Sequence, residues 1–501
     1  MKRYVIILSM IALMFVFYPG KGQCYTVDLR GQVASLYVLR DTSGFQDGFM
    51  DDFYGVQWRN TLDITLTIKP EYAGNPSVYV DKVYLAYRGA YDAIFSTRRD
   101  AFDNVEEKER DDFEIGLDDV EWGNDLREAF VDFVAEGGAQ KANLRLGRQI
   151  VRWGETDSFN IVNVVNPSDY SYQLAFSNPD DVAIPLWMAR LDYTVAGLGF
   201  LDSFGIELLA IPDIRPTQLG PTNGKDGFVN FDAPYSYTLS GFDGMGLTRI
   251  REDVPGDTWE NMEYGISMSI GWSDLEAAFH YFVGHQDNGA LDWEDYIMWA
   301  NTGGLLGASE LTFTHPRQRT YGYSFNYFVE WSNMVVRGEG SLTDEEYLME
   351  TPAFSNGFDI TFIEPTKVYR NMLGIDKALH PTWIGTRSAL DVSIEGYWRH
   401  VSDWKTDPVL HPSDKRDTGI FTCFLMTDYH HGMIKPRILV MYDTEGTWMT
   451  NAAIVYDPDG KWFFQLAQSS FWGNRNAISD FSRGGVMINN SELSFKVGYR
   501  F

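Results

Sequence analysis

The sequence predicts an all-β fold, a transmembrane antiparallel β-barrel of about 18 strands with short periplasmic turns and long extracellular loops. Three observations carry this. The chain opens on a segment with the build of an export signal. A period-two alternation of apolar and polar residues recurs along its length and ends on a terminal aromatic. Connections between the alternating segments switch between short and long.

The export segment comes first. Lys2 and Arg3 supply a positive start, Val5 to Tyr18 an apolar run, and Pro19-Gly20-Lys21-Gly22 a break, so residues 1–24 read as a cleaved signal peptide and 25–501 as the barrel. No later run of 18 or more apolar residues could cross a bilayer as a helix. Composition narrows the class further. The 501 residues hold 41 Lys+Arg against 70 Asp+Glu, a net charge of −29, which repels phosphate and argues against a nucleic-acid partner. With 15% aromatic residues the chain can bury surface and is not disordered. Two cysteines are too few for a disulfide scaffold, a structural zinc site or c-type haem attachment, and no cofactor is expected.

The alternation is clearest at the C-terminus. Leu493, Phe495, Val497, Tyr499 and Phe501 share one face, and Ser494, Lys496, Gly498 and Arg500 the other. A final strand ending this way in an exported chain matches the assembly signal of outer-membrane barrels, so Phe501 is assigned that role and the barrel assembly machinery is an expected partner. Similar runs occupy 62–68, 264–272 and 321–331. A water-soluble sandwich would put the polar face outside; a membrane barrel puts lipid outside and a polar lumen within. Strands are placed near 31–40, 56–69, 77–90, 126–135, 142–153, 187–197, 203–211, 262–271, 275–284, 319–331, 334–343, 367–377, 388–400, 417–428, 434–443, 447–457, 461–471 and 491–501. The stretch 417–428 alternates poorly and 126–135 also reads as a helix, so sixteen strands is the other count. Short turns such as Ser273-Asp274 and Ser332-Asn333 alternate with long connections such as 154–186 and 212–261.

Charge divides between loops and wall. The stretch 96–125 is rich in acids and reads either as a solvated outer loop or as carboxylates bridged through divalent ions to lipopolysaccharide. By alternation the lumen face is nearly balanced, with Arg145, Arg148, Arg152, Arg337 and Arg399 among its bases and Glu339 and Glu395 among its acids. These seven are the candidate pore-lining residues. Two readings stand: cross-strand ion pairs that stiffen the wall, or a ladder guiding an anionic solute.

One segment stands apart, Leu144 to Glu155 with the run Gly147-Arg148-Gln149 and then Trp153-Gly154-Glu155, followed by Asn163-Val164-Val165-Asn166-Pro167-Ser168-Asp169. Leu144 and Leu146 face lipid, which would place Arg148 there too, and an arginine at the bilayer midplane costs about 2–4 kcal/mol. A bulge at Gly147 would turn Arg148 and Arg152 inward and leave Val151 and Trp153 outward. The loop that follows is expected to fold inward as a constriction.

This G-R-Q-x-x-x-W-G-E run and the downstream N-P-x-D resemble a proteobacterial family of outer-membrane β-barrels known only as a domain of unknown function. Glu128-Ala129-Phe130-Val131-Asp132 resembles the preceding strand of that group and of alginate-export porins. The resemblance implies an outer-membrane barrel passing an anionic or lipidic compound, with periplasmic export components as partners. Nothing in the sequence carries the motifs of a hydrolase or a metal enzyme; His430-His431 beside Asp428 is assigned to a periplasmic turn. The expected function is therefore a porin or export channel in the outer membrane, in contact with lipid bilayer and lipopolysaccharide. A barrel scaffold for a partner protein and an outer-membrane enzyme are the alternatives.

Overall fold

The computed structural model describes residues 24–41, 53–72, 74, 76–97, 121–157, 159–170, 179–219, 249–292, 302, 310–347, 365–386, 388–402, 416–474 and 491–501. Residues 1–23 of the expected signal segment 1–24 and most of the acid-rich stretch 96–125 lie outside them, and Cys24 is the first residue described.

Eighteen antiparallel strands form one closed sheet. In chain order they are β1 (Cys24–Asp41), β2 (Phe53–Glu71), β3 (Val78–Asp92), β4 (Trp122–Gly137), β5 (Gln140–Gln149) and β6 (Leu186–Leu198). Next come β7 (Leu201–Ile211), β8 (Glu263–Trp272), β9 (Leu275–His285), β10 (Arg317–Val329), β11 (Met334–Glu346) and β12 (Thr366–Leu379). The last six are β13 (Leu390–Val401), β14 (Asp417–Met426), β15 (Ile434–Asp443), β16 (Thr447–Tyr456), β17 (Trp462–Gly473) and β18 (Ser491–Arg500). Each pairs with its sequence neighbour, and β18 returns to β1 to close the ring.

The expected strands therefore all appear, including 126–135, which lies within β4 rather than in a helix. The stretch 417–428 is strand only as far as Met426. Its weak alternation has a physical cause. Phe421 is exposed on the outer face, and Cys423 and Leu425 share its parity. The opposite, lumen-facing set is Thr418, Ile420, Thr422, Phe424 and Met426, so both faces of this strand are apolar in part. His430 and His431 do lie in the turn joining β14 to β15, both in the left-handed backbone region.

The outer face is apolar. Leu62, Leu144, Phe279, Tyr321, Leu373, Ile394, Ile454, Leu466 and Phe495 all stand exposed on it, the surface a bilayer would cover. No helix among the described residues is long and apolar enough to cross a membrane; the strands do so instead. The protein is an outer-membrane barrel by this build.

The seam rests on the terminal residue. Phe501 donates its N–H to the Gly31 carbonyl (2.9 Å) and accepts the Gly31 N–H (3.0 Å), and its ring lies where any side chain at position 31 would be. Nearby, Arg500 donates to Asp457 in the turn after β16 (2.9 Å), and that hydrogen bond holds the Asp457 carboxyl below the usual carboxylate range.

The bulge expected at Gly147 is not there. Its φ is +143°, a conformation that favours glycine, yet the register of β5 runs unbroken against β4 and β6. Register shifts fall instead between Val80 and Lys82 and between Ala86 and Arg88, where β3 meets β4, between Val38 and Leu39 in β1, and between Thr343 and Glu346, where β11 meets β12. Gly147 is needed because a Cβ would come within 2.6 Å of the Phe130 Cα and would overlap the Ala129 carbonyl.

Two outcomes follow. Removing Phe501 lowers the fraction of chain that reaches the heat-modifiable, protease-resistant form, as does Gly31→Val, which forces the ring off the seam; normal yields of both variants would contradict the seam's role. Gly147→Ala costs about 1–3 kcal/mol, the price of a strained backbone position, and lowers the temperature at which the band shifts on gels. An unchanged midpoint would contradict the crowding at this site.

Candidate functional site

The chain leaves the wall at the end of β5 and enters the lumen. Of the two residues expected to point outward, Val151 and Trp153, both are buried inside, in one cluster with Ile161, Val162, Val165, Leu186, Met188 and Leu209. That expectation is corrected for a simple reason: it rested on a bulge at Gly147, and without the bulge Val151 and Trp153 keep the inward parity of Gly147 and Gln149, just beyond the end of β5.

The two motif asparagines explain how this segment holds its shape. Asn163 Oδ1 accepts the N–H groups of Trp153 (2.7 Å) and Gly154 (2.8 Å). Asn166 Oδ1 accepts the Val151 N–H (2.8 Å), and its Nδ2 donates to the Ile184 carbonyl (2.8 Å). The downstream N-x-x-N thus ties off backbone donors that have left the sheet and would otherwise be buried without partners. Trp153 stacks on His280 of β9, ring centroids 5.1 Å apart, and donates from Nε1 to Glu207 of β7 (2.5 Å).

The far end of the segment is fastened to β11–β13, six to eight strands round the wall from β5. Glu339, fully buried, accepts the N–H of Glu155 (2.7 Å) on one oxygen and that of Val162 (2.7 Å) on the other. Arg337 donates to the Glu155 carbonyl and pairs with Asp157 (2.9 Å), with Asp376 (2.5 Å) and, across Gly374, with Glu395 (3.0 Å). Glu395 also accepts from the Tyr397 hydroxyl, and Phe159 packs edge-on against the Tyr397 ring (4.7 Å). Glycines make the contacts close: a Cβ on Gly154 would lie 2.8 Å from the Glu339 oxygens, one on Gly322 would lie 2.6 Å from Val162, and one on Gly265 would lie 2.7 Å from Trp153. The expected inward fold of the 154–186 loop is present in residues 150–157 and 159–168, while 171–178 lie outside the described residues.

Of the seven candidate residues, four lie together on β11 and β13 and three lie apart. Arg337, Glu339 and Glu395 come together as the anchor just described, and Arg399 is buried on the same strand as Glu395. Arg145 lies apart, in a two-point pair with Asp132 (2.7 and 2.9 Å), with its guanidinium 3.8 Å from the Phe130 ring centroid. Arg148 stays on the parity of Leu144 and Leu146, opposite Ala129 and Trp187, and reaches Asp125 (3.0 Å). Arg152 is exposed on the segment beyond the strand, not on the wall. The residues that sequence reasoning passed over are Asn163, Asn166, Asp157, Phe159 and Tyr397. The spacing of the two asparagines within the singled-out motif was the available signal for the first pair. Among the described residues no group of three His, Cys, Asp or Glu could hold a metal ion.

Comparison with solved structures gives likeness at very low identity. Acinetobacter baumannii OccAB1 is 9% identical with a TM-score of 0.47, covering 95% of this chain and 96% of that one. Acinetobacter baumannii OccAB3 is 8% identical with a TM-score of 0.45, covering 95% and 99%. The outer membrane protein opdK of Pseudomonas aeruginosa is 7% identical with a TM-score of 0.44, covering 95% and 98%. None of the curated proteins searched matches the chain. One family does match, over residues 47–501, nearly the whole length that carries the barrel and the inward segment. The chain belongs to that family, described as "Protein of unknown function (DUF1302)".

Proposed function

We propose that this protein is a non-enzymatic outer-membrane channel whose solute passes beside the lumen segment 150–168. The observation that supports it is the anchoring of that segment to the opposite wall by Glu339 and Arg337. A backbone fixed at both ends narrows a barrel, the arrangement a selective passage needs. The charges around it support a wall that is braced first and selective second. Arg145, Arg148 and Arg337 each hold a carboxylate partner, which spends much of their field locally. In this reading the solute is an anionic or lipidic compound, and the working partners are lipid, lipopolysaccharide, the assembly machinery that inserts the barrel and periplasmic export components.

Planar-bilayer recording of the purified protein tests the reading. The wild-type barrel conducts. Glu339→Ala leaves two buried N–H groups without an acceptor, at about 1–3 kcal/mol each, so the segment loosens and single-channel conductance rises with more open-state noise. A wild-type protein that inserts but never conducts would reject the channel and favour the scaffold reading.

A further inference from the structure

Lumen cations of this barrel differ in how they are partnered. Those beside the inward segment and on β3–β6 sit in ion pairs: Arg88 with Asp63, Arg145 with Asp132, Arg190 with Glu207, Arg337 with Asp376. Arg437 on β15 and Lys496 on β18 pair with no carboxylate among the described residues. Directly opposite Arg437 across the sheet are Met426 and Ala453; directly opposite Lys496 are Gln465 and Leu36. The only carboxylate in the Arg437 row on β13 and β14 is Asp391, on the far side of Met426.

Both cations lie toward the periplasmic end of the lumen. Arg437 is three residues from the start of β15, and Lys496 is four residues from the end of β18. The wall between them is small and apolar: the Arg437 row continues through Ala453 and Ala467, both buried, to Ser494. Above it, Phe424 and Leu439 stand opposite each other on the lumen face. Three strand spacings of about 4.8 Å separate β15 from β18, so the cations stand about 14 Å apart across the width of this stretch of wall. Burying charges without partners is costly. Here the two cations are exposed or half-buried, facing the lumen beside apolar wall.

We infer that this face of the periplasmic vestibule is a capture site for an amphiphilic anion, a carboxylate or sulfonate with an apolar body, held by Arg437 and Lys496 against Phe424 and Leu439. The inference deepens the channel reading and rests on it for its place in transport, though binding stands by itself. The head group gains charge-assisted hydrogen bonds for which no carboxylate among the described residues competes, and the body covers the half-buried Phe424 and Leu439.

The probes are 2-naphthoate, the neutral analogue 2-naphthol, and acetate. Tryptophan fluorescence in detergent reads binding without any need for conduction. In bilayers the same probes are added to one side at a time. Naphthoate binds and, from the periplasmic side, blocks current, while naphthol and acetate bind on the order of tenfold more weakly or worse, because each lacks one half of the recognition. Arg437→Ala with Lys496→Ala weakens naphthoate by a similar factor and keeps heat-modifiable migration. Arg437→Lys retains most of the binding. Equal affinity for naphthoate and acetate, or a double variant that binds like the wild type, would overturn the site. Naphthoate binding in a protein that never conducts would uphold the site and reject the channel.

Discussion

The Glu339 carboxylate is the constraint on which the interior depends. It is fully buried on the lumen face of β11, and each of its oxygens receives a backbone N–H from a different part of the inward segment. A buried carboxylate needs such donors, and backbone that has left a β-sheet needs such an acceptor. Each solves the other's problem. Glycine at position 154 follows from it, since a side chain there would crowd the same oxygens. So does Gly322, whose bare backbone admits Val162. Arg337, two residues before Glu339 and on the same face, then adds Asp157 and the Glu155 carbonyl to the contact.

Much of the barrel was legible in the sequence because period-two alternation is a direct image of the wall. Where one face meets lipid and the other a polar lumen, the pattern is strong, as in 321–331 and 493–501. It fades in 417–428 for a reason the structure supplies: Ile420, Phe424 and Met426 face inward, so the lumen itself is apolar there. That weakness in the pattern marks the part of the vestibule where Arg437 and the alanines meet.

The inward segment was legible as a motif but not as a geometry. The bulge postulated at Gly147 put Val151 and Trp153 on the lipid face, whereas unbroken alternation gives them the inward parity of Gly147 and Gln149, and inward is where they lie. That bulge, invoked to rescue Arg148, was unnecessary. Arg148 keeps the parity of its strand and lies near its loop-side end, where Asp125 answers its charge, so the mid-bilayer penalty does not arise. Partners such as Glu339 with Val162, 177 residues apart, depend on barrel closure, which no local pattern encodes.

The central claim is that residues 150–168 span the lumen to β11–β13 in the folded protein. The most direct measurement is cross-linking of Phe159→Cys with Tyr397→Cys in a Cys423→Ser background, using a short thiol reagent on the intact barrel. The account predicts efficient intramolecular linkage, seen as altered mobility of the unfolded chain, and loss of that linkage when Glu339→Ala is added. Folded barrels that fail to link, or that link equally well without Glu339, would contradict it.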